Sequence, residues 1–333
     1  MAFTAMAAPG VSVGALDAVY AARLRSRKYG FERMGRYGVR KYLEAMKQTS
    51  PVIVFAGVDG IVIDRQTGKV CRAAWDAIDL MVSRNIPFVL CAGKTRAEIE
   101  PIYQGLGVGH PFVCENGAAI FVPRNYFGFE LRHAHDVDAY DVVEFGRPYR
   151  TVVDILHGAA KRVGADVMGF SDMSVEEIAA DYGLPLFQAR LAKRREYDEP
   201  FRIVRGGEGK RRRLLKALQA AHLGCVNEGR YERAGPPIDP GIGADWLRAW
   251  YHLACRRVLT VGFGNRLSHL PFLRRMDIPV VVPTGDEGRT ARMVASLPRA
   301  RLVDPDGSGW VAAILEAVER AAGDRFPAIR GLA

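Results

Sequence analysis

Short apolar runs alternate with amphipathic stretches along most of the chain after residue 50. Residues 51–58, 86–93 and 258–264 are apolar runs of the length expected of strands buried in a parallel sheet. Residues 73–85 and 94–107 follow the first two runs and carry apolar side chains at helical spacing. This alternation predicts an α/β fold with a doubly wound parallel sheet, in which sites lie at the carboxyl ends of strands.

The alternation is interrupted in the middle of the chain. Residues 128–235 are charged and rich in predicted helix, with a predicted strand at 201–205. After them the alternation resumes, so we interpret the middle segment as an inserted α+β domain. The predicted units are an N-terminal extension (1–48), a core (49–127 and 236–333) and the inserted domain (128–235).

The N-terminal extension carries much of the positive charge. The chain has a formal net charge of +10, and residues 1–48 hold nine Lys or Arg against three Asp or Glu. Such a balance favours anionic partners, and the interleaved aromatic residues could stack on bases. No nucleic-acid-binding motif accompanies them, however, so we favour a solvated basic arm that packs its aromatic residues on the parent domain.

Cysteine usage and the first residues bear on location. The five cysteines are widely spaced without a CxxC pair, which predicts neither a disulfide framework nor a zinc site and fits a reducing cytoplasm. The apolar start of the chain has no preceding basic residue and is interrupted by Asp17. We therefore expect no signal peptide and no membrane span.

Five segments carry a resemblance to a known family. VFAGVDGIVID resembles the first motif of haloacid dehalogenase-like phosphatases. The other four resemble mannosyl-3-phosphoglycerate phosphatases within that superfamily, in the same order, over about residues 51–320. The resemblance implies a Rossmann-like core with a mobile cap inserted in it, and magnesium-dependent hydrolysis of a sugar-glycerate phosphate. These four segments are PFVLCAGKTRAEIE, PFVCENGAAIFVP, LAKRREYDEPF and GFGNRLSHLPFL.

The positions that the resemblance assigns to phosphoryl transfer are altered. The nucleophilic aspartate is replaced by Gly57, whereas the acid/base aspartate two residues later is retained as Asp59. The hydroxyl that binds a phosphoryl oxygen is replaced by Ala92, which Gly93 follows, and the lysine after the cap aligns loosely with Pro240. Loss of a nucleophile alone commonly lowers the rate by about 10⁴ to 10⁶.

The implied metal positions are altered as well. The acids of the GDxxxD motif fall on Asn265 and His269. Magnesium prefers oxygen ligands that include one or two carboxylates, so this set predicts weak or absent magnesium and no cofactor. We therefore expect a catalytically degenerate member of the family.

Residues that the resemblance assigns to substrate binding are retained. They could contact a sugar phosphate at a helix start, at a turn after a strand and in the cap. A structural interpretation is also open, in which they cap a helix, form a turn and cover a solvated helix face. They are Lys94, Thr95 and Arg96, then Glu115, Asn116 and Gly117, then Lys193, Arg194, Arg195 and Glu199.

Three functional hypotheses follow. The first is a catalytically inactive, phosphatase-like protein that binds a phosphorylated sugar or glycerate anion, or a protein partner, in a sensor, regulatory or accessory role. The second is an active mannosyl-3-phosphoglycerate phosphatase-type hydrolase that uses Mg²⁺, with Asp59 activating water for direct attack. Nucleic-acid binding, which would show steep salt dependence, is the third and least favoured. The altered site leads us to prefer the first.

Overall fold

A computed structural model describes most of the chain. It covers residues 52–64, 67–227, 230–239, 241–255, 258–304 and 308–323. The N-terminal extension and Pro240 lie outside the described residues. No helix in these ranges combines the length and apolar character needed to cross a bilayer.

Thirteen strands are described within these ranges. They are β1 (Val52–Ala56), β2 (Phe88–Cys91), β3 (Phe112–Cys114), β4 (Ala119–Pro123), β5 (His135–Val137), β6 (Tyr140–Glu144), β7 (Asp166–Gly169), β8 (Glu199–Arg205), β9 (Gly224–Asn227), β10 (Glu232–Gly235), β11 (Leu259–Gly264), β12 (Ile278–Val281) and β13 (Arg301–Leu302).

Ten α-helices are described between and after these strands. They are α1 (Arg72–Ser83), α2 (Arg96–Leu106), α3 (Tyr149–Val163), α4 (Val175–Tyr182), α5 (Leu186–Ala192), α6 (Gly207–Ala220), α7 (Ile242–Cys255), α8 (Leu270–Leu273), α9 (Glu287–Ala295) and α10 (Ser308–Gly323). Two short 3₁₀ turns, Glu115–Gly117 and Leu267–His269, lie at the ends of β3 and β11.

The larger sheet has nine strands in the order β13-β12-β11-β1-β2-β3-β4-β6-β5. The first six are mutually parallel, and the last three pair antiparallel. A parallel sheet needs helical crossovers, which cover both of its faces. The predicted doubly wound α/β core is therefore confirmed.

The central strand β1 is buried on both faces. Val52, Val54 and Ala56 belong to the apolar cluster that contains residues of α1 and α10, whereas Ile53 and Phe55 belong to the cluster that contains residues of α7. Because successive side chains of a strand point to opposite faces, the continuous apolar run at 52–56 fills both layers. This burial fixes where the chain leaves the sheet at Gly57.

A second sheet of four antiparallel strands lies between the two parts of the core sequence. Its order is β7-β8-β10-β9, and α3 and α6 cover it through Leu156, Leu214 and Leu218, which pack with Phe201. This is the inserted α+β unit, and we call it the cap.

The cap sheet and its helices begin later in the sequence than residue 128, where the predicted interval 128–235 begins. Strands β5 and β6 fall inside that interval, yet both belong to the nine-stranded sheet. They are short, partly exposed antiparallel strands at the sheet's edge, so they lack the continuous apolar run that marks β1. The elements of the cap sheet and its helices extend from Tyr149 to Gly235.

Candidate active site

The loops after β1, β2, β3 and β11 meet at one edge of the core sheet. These strands are adjacent and parallel, so their carboxyl ends lie side by side. The backbone N–H of Gly57, the first residue after β1, donates to the carbonyl oxygen of Phe263 in β11 at 3.0 Å. This edge brings together Asp59, Lys94 and Asn265, as the strand pattern predicts.

The carboxylate of Asp59 lies between two cations. Lys94 Nζ is 3.1 Å from Oδ1, and Arg266 Nη2 is 3.5 Å from Oδ2. The Asp59 side chain is 32% exposed, so water reaches it. Burial works against the charge of Lys94, but the nearby carboxylates of Glu98 and Asp59 outweigh it and raise the pKa of the ammonium above its ordinary value. The site therefore holds one accessible base with two permanent positive charges beside it.

His269 occupies the space beside Gly57. A Cβ atom added to Gly57 would lie 2.3 Å from Cε1 and 2.8 Å from Nε2 of the imidazole. Such distances leave no room for an aspartate side chain at residue 57 while the ring is in place. The imidazole is buried, and the backbone N–H of Asn265 donates to its Nδ1 at 3.2 Å. The absence of a side chain at Gly57 therefore leaves the space that the His269 ring fills. The two residues are far apart in the sequence, so the sequence alone does not show this packing.

Gly57→Ala tests this complementarity. We expect the added methyl group to lower the free energy of unfolding by about 1–3 kcal/mol, because it overpacks a site closed by a buried ring. Denaturant unfolding measures the effect. The matched control is Gly209→Ala on α6, where an added Cβ has nothing within 4 Å and where alanine should not destabilise.

A second substitution separates overpacking from other causes. In the background of His269→Ala, the ring is absent and Gly57→Ala should be nearly neutral. A double-mutant cycle gives the coupling free energy between the two positions. Equal destabilisation by Gly57→Ala in both backgrounds would contradict the packing of the ring on Gly57.

Asn265 links the β11 loop to the β1 loop. Its Nδ2 donates to the backbone carbonyl oxygen of Asp59 at 3.0 Å. Its Oδ1 is buried and has no hydrogen-bond partner within the described ranges. A buried amide oxygen without a donor is unfavourable in an apolar environment, and it is a ligand type that hard divalent cations accept. The predicted position Asn265 thus retains one oxygen that suits a cation.

The loop after β2 lies under the cap. A Cβ atom on Gly93 would lie 3.0 Å from Oδ1 of Asn116, and the Gly93 carbonyl oxygen accepts from Arg195 at 3.0 Å and Arg233 at 3.3 Å. The position that lost its hydroxyl, Ala92, immediately precedes this contact. Sequence reasoning missed Arg233, because it lies in β10, a strand that was not predicted, and no motif marks it.

Glu115 ties the core to the cap. Its carboxylate accepts the backbone N–H groups of Glu196 at 2.9 Å, Tyr197 at 2.9 Å and Asp198 at 2.8 Å. Arg195 Nε lies 3.6 Å away. Burial raises the pKa of Glu115 to about 7, although Arg195 and the N–H donors favour the charged form. One core side chain therefore satisfies three consecutive cap donors.

The backbone around Glu115 adopts an uncommon conformation. Glu115 and Asn116 have φ values of +46° and +57°. Left-handed conformations are rare for residues with a side chain and persist where contacts determine them. The Asn116 amide donates to Asp198 Oδ2 at 3.4 Å, so both side chains of the turn contact the cap, and the buried Gly117 completes it.

The residues at the start of α2, after β2, cap this helix and contact the cap. Thr95 is the N-cap of α2, as the sequence predicts, and the structure adds a capping box with Glu98. The hydroxyl of Thr95 also donates to the carbonyl oxygen of Leu191 in the cap at 3.1 Å. Arg96 pairs with Asp138 at 2.6 Å and with Glu196 at 3.3 Å. This helix start thus joins the core and the cap.

Three of the predicted cap residues make their contacts away from Asp59. Lys193 Nζ donates to the carbonyl oxygens of Phe170 and Met173. The carboxylate of Glu199 accepts from the hydroxyls of Tyr149 at 2.7 Å and Ser171 at 2.6 Å. Arg194 is exposed. Of the four predicted cap residues, the structure places Arg195 at the junction with the core.

Comparisons with known proteins identify the class. The sequence profile of haloacid dehalogenase-like hydrolases matches residues 39–156. A haloacid dehalogenase-like hydrolase from Bacteroides thetaiotaomicron has the same fold, with a TM-score of 0.55, 14% identity, and coverage of 81% of this chain and 99% of its own. The fold and the strand-end site thus define a haloacid dehalogenase-like protein.

Two relatives define the family within that class. Both are named glucosyl-3-phosphoglycerate/mannosyl-3-phosphoglycerate phosphatase. The protein from Methanococcoides burtonii is 34% identical, covering 80% of this chain and 97% of the relative. The one from Persephonella marina is 30% identical, covering 81% of this chain and 99% of the relative. The chain belongs to this phosphatase family, as the resemblance indicates.

These relatives overturn two predictions. The preference for a catalytically inactive binding protein is wrong, because the chain matches nearly the whole length of relatives that are named as phosphatases. The expectation of no cofactor is also wrong, because phosphatases of this kind use Mg²⁺. In the structure, the imidazole of His269 fills the space beside Gly57, and two cations surround the retained Asp59.

Proposed function

We propose that the protein is a phosphomonoester hydrolase that releases orthophosphate from a sugar-glycerate phosphate, of the type that its relatives' names describe. The observation that carries this proposal is the Asp59 carboxylate at the end of β1, with Lys94 at 3.1 Å and Arg266 at 3.5 Å. A carboxylate base beside cations is what water attack on a phosphate dianion requires.

The attacking group in this proposal is water. Gly57 offers no side-chain oxygen, so the phosphoryl group is not transferred to residue 57. Asp59 accepts a proton from water while a bond forms between the water oxygen and phosphorus and the ester P–O bond breaks. The leaving alkoxide takes a proton from solvent. The products are orthophosphate and the free alcohol of the glycerate.

The cations contribute electrostatic stabilisation. Lys94 and Arg266 place donors where the phosphoryl oxygens would lie, and such interactions strengthen in a site that excludes water. Arg195 and Arg233 around Gly93 are paired with Asp198, and Arg195 also lies beside Glu115, so their charges are compensated within the protein. Lys94 and Arg266 are therefore the cations that we assign to the anionic partner that we propose, a sugar-glycerate phosphate.

The residues present fit a magnesium ion. The orphaned buried Oδ1 of Asn265 and the Asp59 carboxylate are oxygen donors on adjoining loops. Magnesium is commonly held by one or two carboxylates together with substrate phosphate and water, so Asn265 Oδ1 and one oxygen of Asp59 would hold it and leave the other Asp59 oxygen to accept the proton. When bound, the ion would neutralise charge on the phosphoryl oxygens. No cluster of three or more His, Cys, Asp or Glu side chains suited to a metal occurs in the part of the chain that the structure describes.

A phosphate-release assay tests the proposal. We expect the full chain to release orthophosphate from mannosyl-3-phosphoglycerate and glucosyl-3-phosphoglycerate, and to lose activity when EDTA removes magnesium. Readdition of MgCl₂ should restore the rate. Fructose 6-phosphate, which lacks the glycerate carboxylate, serves as the comparison substrate and should react more slowly. Absence of phosphate release from all three esters in MgCl₂ would contradict the proposed function.

A further inference from the structure

The guanidinium of Arg195 reaches from the cap to the core loop that carries Lys94. Arg195 follows α5 in the cap, and its side chain is only 2% exposed. Its Nη2 donates to the carbonyl oxygen of Gly93 at 3.0 Å, and Gly93 immediately precedes Lys94. The same Nη2 pairs with the carboxylate of Asp198. This cation is therefore engaged in contacts within the protein.

Two further nitrogens of this guanidinium lie near the groups that hold Lys94. Nη1 is 4.0 Å from Oε2 of Glu98, and the other oxygen of that carboxylate accepts from Lys94 Nζ at 3.0 Å. Nε is 3.6 Å from Oε2 of Glu115, and the backbone N–H of Glu115 donates to the carbonyl oxygen of Lys94 at 3.0 Å. One cap side chain thus lies against the partners of both the ammonium and the backbone of Lys94.

The ammonium of Lys94 is held between two carboxylates. Its Nζ is 3.1 Å from Oδ1 of Asp59 and 3.0 Å from Oε1 of Glu98. Glu98 is itself fixed, because its Oε2 accepts the backbone N–H of Thr95 at 2.9 Å. A lysine side chain has four flexible carbons and loses much rotamer freedom when it is ordered. The position of this charge therefore depends on the groups around it.

The backbone of the Lys94 loop is bonded to the left-handed turn after β3. The N–H of Asn116 donates to the carbonyl oxygen of Ala92 at 3.1 Å. Glu115 and Asn116 have φ values of +46° and +57°, and such conformations persist where their surroundings determine them. The Glu115 carboxylate, in turn, accepts three backbone N–H groups of the cap. The cap, this turn and residues 92–94 form one connected set of contacts.

We infer that Arg195 is a positioning residue of the site, which fixes the Lys94 loop when the cap is seated on the core and does not itself bind the substrate. The inference rests on the proposed function, in which Lys94 stabilises charge on the phosphoryl oxygens. A fixed cation stabilises that charge without reorganisation. Misplacement of such a group by about 1 Å can lower a rate by about 10²-fold.

Arg195→Met removes the guanidinium and keeps most of the length of the side chain. We expect it to weaken orthophosphate binding in calorimetry and to lower kcat/KM by about 10- to 10²-fold. The loss in kcat/KM should be equal for mannosyl-3-phosphoglycerate and fructose 6-phosphate, because both esters carry the phosphate that Lys94 faces. A loss confined to the glycerate ester would overturn the inference and indicate direct binding of the glycerate carboxylate.

The matched control is Arg202→Met. Arg202 is a cap arginine in β8, and its Nε lies 3.5 Å from the carboxylate of Asp181. This substitution also removes a cap ion pair, but one without contact to the Lys94 loop. Its orthophosphate affinity and kcat/KM should match those of wild type. Equal losses in Arg202→Met and Arg195→Met would overturn the inference, because the effect would then be a general one on the cap.

A double-mutant cycle with Lys94→Met tests whether Arg195 acts through Lys94. Residues that act as a unit give losses that are not additive. In the Lys94→Met background, Arg195→Met should therefore change orthophosphate affinity and kcat/KM by less than about twofold. The full loss in that background would overturn the inference, because Arg195 would then affect the site by another route.

Arg195→Lys keeps the test available if Arg195→Met does not fold. Its ammonium retains the positive charge beside Asp198, but it lacks the planar fork that reaches Gly93 and Glu115 together. We expect this variant to fold, as followed by thermal unfolding, and to lose about tenfold in kcat/KM while Lys94 is present. Wild-type orthophosphate affinity and kcat/KM in folded Arg195→Lys would overturn the inference.

The inference and the proposed function can fail separately. If wild type hydrolyses no ester, but Arg195→Met weakens orthophosphate binding only while Lys94 is present, the proposed function fails and the positioning role stands. If wild type hydrolyses the esters and Arg195→Met does so equally well, the positioning role fails and the proposed function stands.

Discussion

Asp59→Asn is expected to lower the rate of phosphate release by about 10²–10⁴-fold, the range found when a positioned general base is removed. The amide has nearly the size of the carboxylate and keeps an oxygen for Lys94 and Arg266, which lie 3.1 and 3.5 Å from the present oxygens. It cannot accept the proton of the attacking water. The loss should therefore fall on kcat, measured as initial rates of phosphate release at saturating substrate.

The control for this experiment is Asp286→Asn. Asp286 is the N-cap of α9, where asparagine caps almost as well, and its carboxylate pairs with Arg289 of the same helix. Its kcat should match that of wild type. If Asp59→Asn retains wild-type kcat, the base is a different group and the mechanism of direct water attack is wrong. Thermal unfolding of each variant separates lost chemistry from lost structure.

Glu115→Ala is expected to lower the free energy of unfolding by about 3–5 kcal/mol, as when one partner of a buried ion pair is removed. The substitution leaves three cap N–H groups without their acceptor and leaves the guanidinium of Arg195 less well compensated. Because the lost contacts join the core to the cap, protease sensitivity at the junction should rise as well. Urea unfolding and limited proteolysis measure these effects.

The carboxyl of Glu115 also predicts a pH dependence. Its pKa is raised in the folded protein to about 7, so the native state binds more protons than the unfolded state between the usual carboxyl pKa and 7. The contribution of this group to stability therefore decreases as the pH rises through that interval. Glu115→Gln cannot titrate, so the difference in unfolding free energy between wild type and this variant should change across the interval.

The control for the Glu115 variants is Glu208→Gln. Glu208 is an exposed residue of α6 that pairs with Arg211 at 3.3 Å, and such surface pairs contribute about 0–1 kcal/mol. Its unfolding free energy should stay within about 1 kcal/mol of wild type throughout the pH series. A pH-independent difference between Glu115→Gln and wild type would contradict the raised pKa. Unaltered stability of Glu115→Ala would contradict the role of this carboxylate as the tie between core and cap.

The loop that carries Glu115, which stabilises the cap, is close to the loops that carry Lys94 and Asp59. The 3₁₀ turn that holds Glu115 follows β3, one strand from the loop that carries Lys94 and two from the loop that carries Asp59. Arg195, which contacts Glu115, also donates to the carbonyl oxygen of Gly93. Cap placement and the charge around the phosphate are therefore coupled through one buried network. Variants of Glu115 should alter KM as well as stability.

Local signals in the sequence determined the core sheet and much of its helical cover. Burial of β1 on both faces requires the continuous apolar run at 52–56, and burial of one face of α1 requires the helical spacing of apolar residues at 73–85. Each pattern lies within a single segment, so the sequence shows it directly. The N-cap at Thr95 was also predictable, because its hydroxyl bonds to a backbone N–H only three residues away. Strands β5 and β6 were not, because short, partly exposed antiparallel strands at an edge lack that burial.

The sequence alone also determined that the attacking aspartate is absent and that Asp59 remains. Only the tertiary structure decided what replaces the missing parts, since it depends on which strand ends lie side by side. Gly57 and His269 are far apart in the sequence, and β1 and β11 must pair before the ring meets the glycine. The convergence of Lys94 and Arg266 on Asp59 depends on the same strand order, because side-chain proximity across a parallel sheet is set by pairing rather than by sequence spacing.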